Sequence, residues 1–280
     1  MKKLVAMAAL LMLFPAASAG FISSSISIDV TDPPAVPLDK SVTTMANVTF
    51  SWGFGNIFPL PITVNIQAKD VPDWLYVSIS PSKFTITPTG FFGGKSSKNV
   101  QIIFKANKEV TAFVGYPVKI HAYTNGSFIL RGSEATAEVY VMEDFVDNGL
   151  TIERPSAVNL YTGEEKTIYF NITNKCNAPV YIEIEEENTT GFSLSYEKKF
   201  SIPSKAKKAV PVKIKAEESK EAEVRIKFNY YPAGHEEKRN YEEVYLTLAS
   251  RTKPGGSALA VGLVIIIIAL IAFIIWKKKR

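Results

Sequence analysis

Apolar and polar side chains alternate with a period of two through most of the chain between residues 20 and 250. Val100-Gln-Ile102-Ile-Phe104 and Val210-Pro-Val212-Lys-Ile214 are examples. A period of two places every second side chain on one face, so these stretches predict half-buried β-strands. Helical spacing is missing from this region. Glu217 to Glu223 is at most one polar turn.

Both ends break the pattern. Lys2 and Lys3 precede the apolar run Leu4 to Phe14, which Pro15 interrupts before Ala17-Ser18-Ala19. That order predicts an export signal cut before Gly20, and an uncleaved anchor is the alternative reading. The residue directly after the expected cut is Gly20 and not Cys, which excludes a lipoprotein. Ser257 to Trp276 carries no charge, and Lys277-Lys278-Lys279-Arg280 follows directly. Twenty helical residues span about 30 Å, the thickness of the hydrocarbon layer. Basic clusters stay on the cytoplasmic side, and a Trp suits the interface. The expectation is a single-pass protein of the cell membrane, N-terminus outside and C-terminus cytoplasmic. An ectodomain placed outside excludes enzymes that need cytoplasmic nucleotides.

The strands recur in order. Phe50-Ser-Trp52 matches Phe170-Asn-Ile172, and Pro61 to Ile66 matches Pro179 to Ile184. Lys83-Phe-Thr-Ile86 matches Lys199-Phe-Ser-Ile202, and Phe104-Lys-Ala106 matches Ile214-Lys-Ala216. Val118-Lys-Ile120 matches Val224-Arg-Ile226, and Glu138 to Val141 matches Glu243 to Leu246. Six matches in one order indicate a duplication. About seven short strands per copy is the count of an immunoglobulin-like sandwich. The expected fold is all-β: two tandem Ig-like β-sandwich domains and a C-terminal transmembrane helix. The expected divisions are a signal at 1–19, domains at 20–145 and 146–250, a stalk at 251–256, the span at 257–276 and a basic tail at 277–280. The linker falls near Met142 to Gly149, which is polar and ends on a turn signal.

Three stretches carry a family resemblance: Thr85-Ile-Thr-Pro-Thr-Gly90, Trp74 to Pro81, and Gly163 to Asn174. Each copy resembles the Ig-like modules of the NEW3 and CARDB type found in archaeal surface proteins. The resemblance covers nearly the whole chain and implies sandwich domains and a surface role, without catalytic residues. The first copy departs from the pattern in a longer loop, Gly53 to Pro61.

Charge changes the picture little. The whole chain has 32 basic and 27 acidic residues, but six of the basic ones lie in the two ends. The ectodomain keeps 26 against 27 and is close to neutral, which removes the argument for nucleic-acid binding. Cys176 is the only cysteine, so no internal disulfide can staple the ectodomain and its core must hold it. Cys176 reads as a buried or loop thiol, with an intermolecular disulfide as the alternative.

The residues that carry chemistry are sparse. His121 and His235 have no ligand neighbours at metal spacing, and neither HExxH nor CxxC occurs. GxSxG is absent, and Gly93-Gly-Lys-Ser-Ser97 has Thr89 where a phosphate loop needs its first Gly. Neither an enzyme nor a cofactor is expected. Asp70 and Asp73, Glu143, Asp144 and Asp147, and Glu183 to Glu187 read as solvated turns and strand faces, with a calcium at Glu143, Asp144 and Asp147 as the alternative. Four sequons begin at Asn47, Asn125, Asn171 and Asn188, of which Asn125 and Asn188 look loop-borne.

Loops between strands favour polar residues, yet Phe54, Phe58, Phe91, Phe92 and Phe128 all fall there in the first copy. Either the rings fold back over the sandwich or they form a contact tip. The functional expectation is a non-catalytic surface protein that presents two Ig-like modules for adhesion or envelope organisation. Its partner would be another surface or membrane protein, or a glycan. An accessory subunit of a membrane complex such as a transporter, and a glycan-binding module, are the alternatives.

Overall fold

The computed structural model describes residues 20–253 and 265–271. The expected signal at 1–19 lies outside the described residues, as does the expected span apart from 265–271, which is helical with its isoleucines exposed. Among the described residues no helix is long and apolar enough to cross a membrane. The chain forms two compact units. The first runs to Asn148 and takes in Cys176–Ala178; the second comprises Gly149–Lys175 and continues from Pro179.

The first unit holds β1 (Ser24–Val30), β2 (Ser41–Trp52), β3 (Ile62–Lys69), β4 (Leu75–Ser80), β5 (Lys83–Ile86), β6 (Gly94–Ala106), β7 (Tyr116–Thr124) and β8 (Ser133–Val141). They form two antiparallel sheets, in the orders β1-β2-β6-β4 and β5-β3-β7-β8. Phe50, Val64, Phe104, Ile120 and Val139 are fully buried in the core. Each apolar side chain of that size stabilises the unit by about 1.5–3 kcal/mol through its removal from water.

The second unit holds β9 (Leu150–Glu153), β10 (Ala157–Tyr161), β11 (Glu165–Asn174), β12 (Val180–Glu187), β13 (Phe192–Ser195), β14 (Lys199–Ile202), β15 (Lys207–Ala216), β16 (Glu221–Pro232) and β17 (Asn240–Arg251). Its sheets run β13-β15-β11-β9 and β10-β17-β16-β12-β14, and only β10 and β17 pair in parallel. The two units share one plan. Strands β1 to β8 correspond in order to β9 and β11 to β17. Each of the six stretches matched in the sequence falls on a corresponding pair of strands. β3 and β12 even share one sequence of buried and exposed positions. Glu217 to Glu223 forms no helical turn: its last three residues open β16.

Each unit has more than the seven strands expected, and the reason is local. Between β3 and β6 the chain does not stay in one sheet. β4 pairs with β6, whereas β5 pairs with β3 in the other sheet. The change of sheet occurs at Ser80–Pro81, whose peptide bond is cis. Proline has no N–H to continue a ladder. β4 and β5 do not fold into a hairpin: both run from the Ala106 end of the sandwich towards the Trp52 end, and β13 and β14 divide between the two sheets of the second unit in the same way.

Candidate functional site

Strand register determines which loops meet in the first unit. The end of β2 lies beside the start of β6 at Trp52 and Gly94. The end of β5 lies beside the start of β3 at Ile86 and Ile62. The end of β7 meets the start of β8 at Thr124 and Ser133. Connections 53–61, 87–93 and 125–132 therefore emerge at one end, together with residues 20–23 before β1. The chain leaves β8 at the opposite end, where Val141 lies beside Tyr116. Phe54, Phe58, Phe91, Phe92 and Phe128 all lie at the first of these ends.

Four segments are laced together there. The Ile22 N–H donates to Ile129 O, and the Arg131 N–H to Ile22 O. The Gly53 N–H donates to Ser23 O at 2.9 Å, and the Gly55 N–H to Phe91 O at 2.7 Å. Asn56 is buried, and its Nδ2 donates to Pro88 O at 2.8 Å. A buried amide bonded in this way holds two loops at a fixed separation, because leaving it unpaired costs about 1–3 kcal/mol. Gly93 completes the turn. Its φ is +86°, and a Cβ there would stand 2.6 Å from Trp52 O, so no other residue fits without moving the backbone.

On this frame Phe54 stands edge to face on Phe91, with ring centroids 4.3 Å apart, and Phe92 packs edge to face on Phe91 at 5.5 Å. The three rings nevertheless face solvent. Phe54 is 64% exposed, Phe91 49% and Phe92 88%, and Phe128 on the neighbouring connection is 86% exposed. Phe58, Ile57 and Phe21 are also exposed. Reading the sequence by loops missed Phe21, which follows the expected cut, and missed Asn56, whose burial depends on the loop it pairs with.

The other candidates are occupied by local contacts. Asp70 pairs with Lys119 at 2.7 Å, and that hydrogen bond holds its carboxyl below the usual range. His121 Nδ1 lies 3.0 Å from Thr136 Oγ1 and its ring stacks on Tyr123, while His235 lies beside Glu237. Cys176 is buried, and its thiol donates to Asp147 Oδ1 at 3.5 Å. Asn125 and Asn188 are exposed in loops, whereas Asn47 and Asn171 are half-buried on β2 and β11. Asn47 Nδ2 donates to Asn99 Oδ1.

Glu143, Asp144 and Asp147 each accept hydrogen bonds within the first unit. Glu143 is fully buried, and its Oε2 accepts the Val110 N–H at 2.5 Å and Asn177 Nδ2 at 3.2 Å. Its other oxygen meets no donor among the described residues. Burial pushes its carboxyl up from the usual range. Among the described residues no group of three or more His, Cys, Asp or Glu is placed to hold a metal ion.

Glu183 belongs to a surface cluster of the second unit. Lys199 Nζ donates to it at 2.9 Å, Tyr231 Oη at 2.9 Å and Arg239 Nη1 at 2.8 Å. These bonds, Lys199 foremost, lower its carboxyl to about 2. Lys199 and Arg239 also lie over the Tyr231 ring. The cluster ties the 233–239 connection to β12 and β14 and is internally satisfied.

No family model matches the chain, and no curated protein matches it. Among solved structures it is similar to the PapD-like domain 7 of human CEP192, with TM-score 0.33 and 10% identity over 38% of this chain and 87% of that one. It is also similar to a protein of unknown function from Porphyromonas gingivalis, with TM-score 0.33 and 10% identity over 80% and 99%. The YadV chaperone matches with TM-score 0.27 and 13% identity over 78% and 99%. Likenesses at these scores carry no argument about function. The assignment of two Ig-like β-sandwiches rests on the strand order and register above.

Proposed function

We propose that the chain is a non-catalytic surface protein whose first Ig-like unit presents an aromatic contact tip, for adhesion or envelope organisation. The observation that carries the reading is the exposed cluster of Phe54, Phe91 and Phe92 on loops laced to one another. Soluble monomers rarely display such a patch without a use for it. The chain leaves the unit from the end opposite the tip, so the linker leaves the tip free within that unit. In this reading 1–19 directs export, 257–276 anchors the chain with its basic tail inside, and the exposed loop sequon at Asn188 is the one open to glycosylation, because Asn125 lies in the contact tip.

The Phe91→Ser, Phe92→Ser double variant of the full chain tests the reading. Displayed on cells, it should melt like the wild type and lose binding to envelopes of the same cells. A stability loss of about 2 kcal/mol or more would show that the rings are structural, and retained binding would remove the tip as the contact surface. Protease applied to intact cells should remove everything but a membrane stub, and a protected ectodomain would reverse the orientation.

A further inference from the structure

We infer that the tip of the first unit is a lipid-contact surface, which seats its phenylalanines in the interfacial layer of a bilayer with anionic headgroups. The inference deepens the surface reading and rests on it.

The chemistry of the tip decides between occupants. Segments 20–23, 53–61, 87–93 and 125–132 contain one ionisable side chain, Arg131. It is exposed, and exposed Lys95 follows the third segment closely. The acid nearest these segments in sequence, Glu134, lies 3.6 Å from His121. Sites for proteins or glycans combine apolar surface with polar groups aimed at the ligand. Here the buried Asn56 directs its amide N–H to the neighbouring loop, and Ser127 Oγ accepts the N–H groups of Ile129 and Leu130 within its own loop. Phe92 and Phe128 stand almost fully in solvent, with no walls around them to seat a side chain or sugar. What remains is an apolar crest flanked by the exposed polar side chains Thr87, Thr89 and Asn125, with a cationic rim of Arg131 and Lys95. That composition matches the boundary between acyl chains and anionic headgroups, where apolar area and cations both contribute to binding. The hydrogen-bonded loops add pre-organisation, because the rings need no ordering on contact.

The test uses the full chain in nanodiscs of neutral lipid, with Phe92→Trp as reporter. Vesicles containing phosphatidylglycerol are added, with brominated acyl chains either in the vesicles or in the disc. The unsubstituted protein supplies the background from Trp52, Trp74 and Trp276. The expected result is blue-shifted, quenched emission from the introduced indole in at least one arm, which also distinguishes a facing bilayer from the protein's own. Adding Phe54→Ser and Phe91→Ser should weaken the partition about tenfold or more, given the apolar area removed. Neutral vesicles, or Arg131→Gln, should weaken it as well. Absence of quenching in both arms overturns the inference. If the Phe91→Ser, Phe92→Ser variant still loses envelope binding in that case, the surface reading stands and the occupant is a protein or glycan.

Discussion

Phe54 and Phe91 meet edge to face with ring centroids 4.3 Å apart, although one lies in the β2–β3 connection and the other in the β5–β6 connection. Asn56 and the Gly55 N–H, both bonded to the second loop, create that contact. Asn56→Ala should therefore cost about 1–3 kcal/mol, the loss of one buried polar bond, and speed amide exchange at Gly55. Hydrogen exchange with mass spectrometry checks it. Unchanged exchange would mean that the loops are held without Asn56.

Phe50 and Phe170 occupy the corresponding strands β2 and β11, and both are fully buried. Phe50→Ala and Phe170→Ala should each cost about 3–5 kcal/mol. Phe92→Ala should stay within about 0.5 kcal/mol, because its ring already faces water. Urea denaturation reads all three on one scale, and a large cost for Phe92→Ala would contradict its exposure.

Glu143 predicts a pH dependence of one sign. Burial raises its carboxyl above 4.5 in the folded state, with Glu109 and Asp144 adding to the rise and the Val110 N–H and Asn177 amide opposing it. The folded state then holds the proton more tightly than the unfolded one. Its contribution to stability is greatest in acid and falls as pH rises from 4.5 through the folded value. Glu143→Gln should flatten that slope and raise the melting temperature at neutral pH. Melting followed from acid to neutral pH checks it, and parallel curves for variant and wild type would refute it.

Glu183 predicts the opposite sign. Its carboxyl is lowered from 4.5 to about 2, so the stability it contributes is present above pH 4.5 and lost as pH falls towards 2. Glu183→Gln should make the second unit less sensitive to acid over that window. Acid titration by near-ultraviolet circular dichroism, which senses the Tyr181 and Tyr231 rings, measures it.

Part of the segment expected to be the linker is hydrogen-bonded within the first unit. Asn177 Oδ1 accepts the Val146 N–H at 2.8 Å, and its Nδ2 donates to Asp144 O at 3.0 Å as well as to Glu143. The break between units falls after Asn148. Asn177→Ala should cost about 2–3 kcal/mol by leaving these groups unpaired and should expose 144–148 to proteases such as thermolysin. A wild type cut there as fast as the variant would show that the bonds do not protect it.

The alternation of apolar and polar residues was enough to determine the class of fold. A side chain on a strand points to one face or the other, so period two records burial directly. Val64 and Ile182, or Phe104 and Ile214, could be paired by sequence for that reason, and they fall on corresponding strands. The ordered repeat by itself specifies two similar units. Loop phenylalanines were visible too, because an apolar residue in a turn departs from the local rule.

What the tertiary structure decided is everything that depends on which loops become neighbours. Local pattern does not state that β4 and β5 belong to different sheets while running the same way, yet that direction brings Phe91 to Phe54. Asn56 and Glu143 look like ordinary surface polars in the sequence. Their burial follows from segments distant in the chain, Pro88 for one and Val110 with Asn177 for the other. Burial and hydrogen bonding of a polar group are properties of its neighbours in space, and a periodicity read along the chain carries no record of them.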